Sequence, residues 1–199
     1  MAGPIVNRSD AEDREMVAAI LSGSQPASRA LIRKHEKLVM SIVFKMVQQR
    51  EDREDLCQDI FLAVFHKLET FRFQAKLSTW IGRIAYHRCL NFLEKKKTVL
   101  LEDIAEGSNE TAAAKGQGQQ LIADHDRHPE QVLLDKELGQ KILAAMEKLP
   151  VIQKVVISLF HQAGLPLEEI AIITGLPVNT VKSHLFRGRK ALKAQLEKM

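Results

Sequence analysis

The chain has 199 residues and a mass of 22.4 kDa, room for one medium domain or two small ones, and 27% charged with 45% hydrophobic residues excludes a wholly disordered or fibrous chain. Ten glycines, six prolines and 5% aromatic residues disfavour a turn-rich β-sandwich or barrel, so the expected fold class is all-α. Lys and Arg exceed Asp and Glu by 29 to 25, and a net charge of +4 points to nucleic acid only if it is segregated along the chain.

In chain order, apolar positions at helical spacing (Val17, Ile20, Leu21, then Leu31, Leu38, Ile42, Val43 and Met46) predict a short helix and a second one begun at Ser24 or Pro26, with GSQPAS as the break. A third helix opens on the acid-rich EDRED run, which suits the positive end of the helix dipole. It continues through Leu56, Ile60, Val64 and Leu68 and ends near Glu69. The connector TFRFQAKLS leads to a fourth helix over about 79–97, closed by Lys95, Lys96 and Lys97. Composition then shifts to small and polar residues in which acids outnumber Lys115 and Arg127, the pattern of a flexible acidic linker. Beyond it, Pro150, Gly164-Leu165-Pro166 and Gly175-Leu176-Pro177 separate helices over 131–147, 150–162, 167–174 and 178–196. The expected organisation is a tail and short helix over 1–24, a helical domain over 25–97, a linker over 98–129 and a smaller helical domain over 130–199.

No run of apolar residues is long enough for a membrane span, and MAGPIVNRSDAEDRE has no signal-peptide core, so a cytoplasmic protein is expected. Cys57 and Cys89 stand alone, which gives no support for a disulfide or zinc site. Asp124-His125-Asp126-Arg127-His128 looks superficially like a ligand set but lacks a second cluster to complete it, and no metal or other cofactor is expected. Neither a GxSxG, a P-loop, an HExxH nor a paired Cys/His motif occurs, so the chain reads as a binding protein rather than an enzyme.

The missing charge asymmetry lies in LEEIAIITGLPVNTVKSHLFRGRKAL. A helix, a glycine turn and a second helix fit a helix-turn-helix, with Ile170, Ala171, Leu176, Val181 and Leu185 as its apolar seam. Between 178 and 193 the second helix carries Lys182, Arg187, Arg189, Lys190 and Lys193 and no acid, a face able to neutralise phosphates. Asn179, Thr180, Ser183 and His184 near its start are placed to hydrogen-bond base edges or phosphates. Upstream, Asp55, Gln58 and Asp59 share a face of the third helix and offer carboxylates and an amide to a basic partner. FRFQAKLSTWIGRIAYHRCLNFLEKKK interleaves aromatic and basic residues as single-strand binders do. Within it Trp80 reads as a core anchor, and Arg83, Tyr86, His87, Arg88 and Asn91 as the more exposed positions.

DREDLCQDIFLAVFHKLETF with KLSTWIGRIAYHRCLNFLEKKK closely resembles the central segments of region 2 of bacterial extracytoplasmic-function sigma factors, and LPVIQKVVISLFHQAGLPLEEIAIITGLPVNTVKSHLFRGRKAL resembles their region 4. The match covers nearly all of 25–97 and 130–195 in the family's order. The resemblance implies a removable specificity subunit of RNA polymerase, a promoter-melting helical domain tethered to a helix-turn-helix domain. It implies contacts from Asp55, Leu56, Gln58, Asp59 and Phe61 to the clamp helices of the largest polymerase subunit, while region 4 meets the flap of the second largest. It further implies minus-ten promoter DNA contacts from Phe71, Lys76, Ser78, Thr79, Trp80, Arg83, Tyr86, His87, Arg88, Asn91 and Lys95, with an unstacked base captured by the connector 71–78. Minus-thirty-five contacts would come from Asn179, Thr180, Lys182, Ser183, His184, Arg187, Arg189 and Lys190. An anti-sigma factor is a further implied partner, and the linker would thread the polymerase's active-centre channel. The sequence departs from the family pattern at Asp59, His87, Asn91 and Glu94. A stand-alone helix-turn-helix regulator is the alternative, but it gives no role to the front domain.

Overall fold

The computed structural model describes residues 8–105 and 129–198, with side chains over 11–97 and 137–198, and the described residues are built from helices without strands. The front half holds α1 (Arg8–Leu21), α2 (Gln25–Met46), α3 (Arg50–Lys67), a 3-10 turn (Leu68–Thr70) and α4 (Leu77–Ala105). The back half holds α5 (Pro129–Glu147), α6 (Val151–His161), α7 (Leu167–Thr174) and α8 (Val178–Leu196). The last two match the sequence expectation to the residue. α4 starts at Leu77 and runs past 97, so the helical front half extends into the span read as linker, and α5 begins at 129. The span 106–128, including most of the linker and the Asp124–His128 run, lies outside the described residues.

Local chemistry explains the breaks. Ser24 is in extended conformation before α2, its hydroxyl accepts the Ala27 N–H at 3.4 Å, and Pro26 sits in the first turn where it costs no hydrogen bond. At the far end of α2 the Arg53 Nε–H donates to the Val47 carbonyl at 2.7 Å while its guanidinium lies 4.7 Å from the Phe44 ring centre, closing the α2–α3 corner. Lys96 of α4 donates to Gln49 Oε1 and Asp52 Oδ2 at 2.5 and 2.7 Å, tying α4 across the start of α3.

α2 is the central element. It packs on α1, α3 and α4 of the front half and on α6 of the back half, while α7 lies against α4. One buried cluster therefore runs through both halves, from Leu31, Ile42, Ile60 and Ile81 to Leu159, Ile170 and Ile173. The tethered domains inferred from composition are docked in this structure. Their seam includes an electrostatic component. Burial lowers the pKa of the Lys45 ammonium of α2, and the charge of Glu147 on α5 opposes that shift from across the seam; within the back half, Lys154 of α6 donates to the same Glu147 at 2.8 Å.

Candidate nucleic-acid interface

The helix-turn-helix is assembled by α7, a glycine turn and α8. Gly175 closes α7 at φ 70°, a left-handed conformation that an L side chain resists, and its N–H donates to the Ala171 carbonyl. Pro177 then opens α8, and the seam forms as expected: Ile170, Val181 and Leu185 are buried and Ala171 and Leu176 half-buried. Gly188 brings α8 close to α6, where a Cβ would meet Ile157 Cδ1 at 2.6 Å.

This packing turns the other side of α8 outward. Asn179, Lys182, Ser183, Arg187 and Lys190 are exposed, with Thr180 and His184 half-buried. Local bonds order the face: the Ser183 hydroxyl donates to the Asn179 carbonyl at 2.9 Å and the Arg187 Nε–H to the Ser183 carbonyl at 3.3 Å. Burial, and then the neighbouring Arg187 charge, lower the pKa of His184, which favours the neutral ring. Arg189 departs from expectation. Its Nε–H donates to His161 Nε2 at 3.0 Å and its guanidinium lies 5.1 Å from the Phe160 ring centre, so it is engaged on α6 beside the exposed face. Sequence reasoning missed Phe186, which is 69% exposed and borders a shallow concavity with Lys182, Ser183 and Arg187. The signal was present: an aromatic residue in the basic stretch, next to seam residue Leu185 but not on the seam.

On α4, Arg83, His87, Asn91 and Lys95 recur every fourth residue, are all exposed, and have exposed Arg88 beside them, which makes a polar stripe along the helix. Other expected contacts need correction. Tyr86 is buried, because it shares the inward side of α4 with Ile81, Ala85 and Cys89, and burial raises the pKa of its phenol. Phe71 is buried as well, its ring 4.5 Å from that of Phe73 and 5.0 Å from that of Trp80, so it supports the connector from below. Trp80 is half-buried against the core, in line with an anchoring role. Ser78 is half-buried, while Lys76 and Thr79 are engaged by a carboxylate of the back half. The connector holds another residue not foreseen. Phe73 has φ 53°, a left-handed conformation costing about 1–2 kcal/mol, and the Arg14 guanidinium of α1 sits 4.3 Å from its ring centre.

On α3, Asp55, Gln58 and Asp59 are exposed together, as expected. Leu56 faces the core and is withdrawn from any partner, and Phe61 is half-buried against the same core. The apolar group the sequence reading overlooked is Leu62, 57% exposed on this helix. Among the described residues no cluster of three or more His, Cys, Asp or Glu converges, and no helix is long and apolar enough to cross a membrane.

Known proteins carry the same two modules in the same order. The family model for Sigma-70 region 2 matches residues 31–99, and that for Sigma-70 region 4 matches residues 139–192. The chain is 29% identical over 186 residues to the ECF RNA polymerase sigma-E factor of Escherichia coli K12, covering 93% of this chain and 94% of that protein. It is 29% identical over 183 residues to the ECF RNA polymerase sigma factor SigW of Bacillus subtilis, covering 92% and 96%. Among solved structures, the sigma factor RpoE of Bartonella quintana, in complex with the anti-sigma factor NepR, shares the fold at TM-score 0.65 and 20% identity over 85% of this chain and 96% of that one. With α2 to α4 built as region 2 and α5 to α8 as region 4, the chain belongs to the extracytoplasmic-function sigma factors of the sigma-70 family.

Proposed function

We propose that this sigma factor acts in the cytoplasm as a non-catalytic subunit, joining core RNA polymerase through the exposed α3 face and reading a promoter at two separate places. The α3 face offers Asp55, Gln58 and Asp59 with Leu62 alongside, a carboxylate-rich surface with an apolar contact, suited to a basic helical partner on the polymerase. The α4 stripe of Arg83, His87, Arg88, Asn91 and Lys95 holds the minus-ten strand, with Trp80 and the connector at its end. The α8 face reads the minus-thirty-five element in the major groove through Asn179, Thr180, Lys182, Ser183, His184 and Phe186, while Arg187 and Lys190 grip phosphates.

The observation that carries this reading is the coexistence, in one chain, of an acid-free outward face on α8 and a separate polar stripe on α4, each set on its own helical module. A stand-alone repressor needs the first and has no use for the second. An anti-sigma factor is a further partner in this reading, supported by the shared fold with the sigma factor RpoE of Bartonella quintana, which was solved in complex with the anti-sigma factor NepR. Run-off transcription with core polymerase on genomic fragments tests the proposal. Promoter-specific transcripts that require this protein are expected, and specific duplex binding with no effect on transcription by core would overturn it.

A further inference from the structure

The start of α4 is occupied in this structure by the back half of the same chain. Glu169, in the first turn of α7, places one carboxylate oxygen 2.6 Å from Lys76 Nζ and accepts the Thr79 hydroxyl at 2.7 Å with the other. Both groups are sheltered: Thr79 is 1% exposed and the Glu169 side chain 13%. One helical turn beyond Glu169, Ile173 lies over Gly82, where a Cβ would meet Ile173 Cδ1 at 2.9 Å and Leu38 Cδ2 at 3.7 Å. Spacing of i, i+4 on α7 thus meets i, i+3 on α4. An anion is matched to a cation and a hydroxyl, and an isoleucine to a glycine.

A carboxylate bridging an ammonium and a hydroxyl makes the contacts that a backbone phosphate of DNA would make there. We propose that Glu169 and Ile173 form a clasp that holds region 4 on the nucleic-acid face of region 2, with the Glu169 carboxylate standing in the place of a DNA phosphate at Lys76 and Thr79. This rests on the reading of α4 as a DNA face. The clasp and the DNA strand are then mutually exclusive ligands of one subsite. Binding of either weakens the other by the same factor, and the free chain keeps α8 exposed while the end of α4 is closed. The sheltered position of Thr79 and the glycine at 82 are what a docking seam requires. A DNA-binding surface alone would require neither.

The test uses the full-length chain and two independent ways of breaking the seam. Glu169→Ala removes the anion; Gly82→Leu drives a side chain into Ile173 without changing charge. Glu168→Ala, at the exposed adjoining position, controls for the altered net charge. Small-angle X-ray scattering reports the separation of the halves, circular dichroism the helix content, and fluorescein-labelled single-stranded DNA of random sequence the exposed α4 face. The expected result for Glu169→Ala is a larger radius of gyration at unchanged helix content, with DNA affinity about 5- to 10-fold higher than that of the Glu168→Ala control. Gly82→Leu should enlarge the radius in the same way. An unchanged radius in both variants overturns the clasp. A larger radius with unchanged DNA affinity overturns the masking, and Arg83→Ala added to Glu169→Ala then locates the failure. If that addition weakens DNA binding, the α4 reading stands and the clasp does not mask it. If it has no effect, the α4 reading itself falls.

Discussion

The two surfaces assigned to promoter DNA are built from similar residues and differ in what surrounds them. On α8 the basic and polar side chains point outward because the seam with α7 and the close approach at Gly188 consume the opposite side of the helix. On α4 and the connector before it part of the surface is committed: Tyr86 and Phe71 are buried, and Lys76 and Thr79 serve Glu169. The lesson is that residue type marks where a nucleic acid can bind, and packing decides which of those residues it can reach. Interleaved aromatic and basic residues on a helix that packs on three others are divided between core and surface by periodicity, and the aromatic share goes mostly inward.

The sharpest way to break this view is on α3, where exposed and buried neighbours were grouped as one contact set. Asp55→Arg with Gln58→Ala should abolish co-purification with core polymerase while leaving helix content intact, because both side chains are exposed and the change sets like charge against a basic partner. Leu56→Ala should do something else. It empties a buried site at a cost of about 2–5 kcal/mol, which urea denaturation will show as a lowered midpoint, with polymerase binding retained by the molecules that remain folded.

Two histidines extend the comparison from faces to depth. His35 is buried, and desolvation first, with Asp13 opposing and Lys34 assisting, holds its pKa down to about 4 from the ordinary 6.5. The folded state thus keeps the ring neutral, whereas the unfolded state gains a proton below about 6.5. Stability should be indifferent to this group above pH 6.5 and fall by up to about 1.4 kcal/mol per unit from there towards pH 4. His35→Leu should flatten that part of a stability-versus-pH curve measured by denaturant titration. His184, on the outward side of α8, is lowered in the same direction by burial and then by Arg187, so His184→Ala should flatten the curve below pH 6.5 in the same sense.

The smallest effect belongs to the rim. Lys190→Ala removes one exposed cation from α8 and should weaken holoenzyme binding to all promoters alike, reducing the slope of log affinity against log salt by about one unit. A change in preferred sequence for this variant would move Lys190 from phosphate anchoring to base reading.

Much of this was legible in advance where single residues punctuate the chain. Gly175 and Pro177 fix the end of α7 and the start of α8, and Ser24 with Pro26 fixes the start of α2, since each acts through local backbone chemistry. The burial of Tyr86 was also within reach, because it falls on the Gly82 and Cys89 side of α4, but the resemblance of the segment to a single-strand binder drew attention to its chemistry and away from its period. Docking of the halves was beyond sequence reasoning. Glu169 and Thr79 are 90 residues apart, and nothing in either neighbourhood specifies the other. Arg189 illustrates the same limit at shorter range, drawn onto His161 and Phe160 by packing of α8 on α6.

The central claim is that α4 and α8 read different promoter elements, and a randomised-promoter selection on the reconstituted holoenzyme tests it most directly. Lys182→Ala is expected to change the preferred minus-thirty-five sequence at one or two positions, with a penalty of about 1–3 kcal/mol against the native site, and to leave the minus-ten preference as it was. Arg83→Ala with His87→Ala is expected to change the minus-ten preference and leave the minus-thirty-five sequence untouched. If both variants shifted the same element, or both kept the wild-type preference and differed only in strength, the division of reading between the two helices would be contradicted.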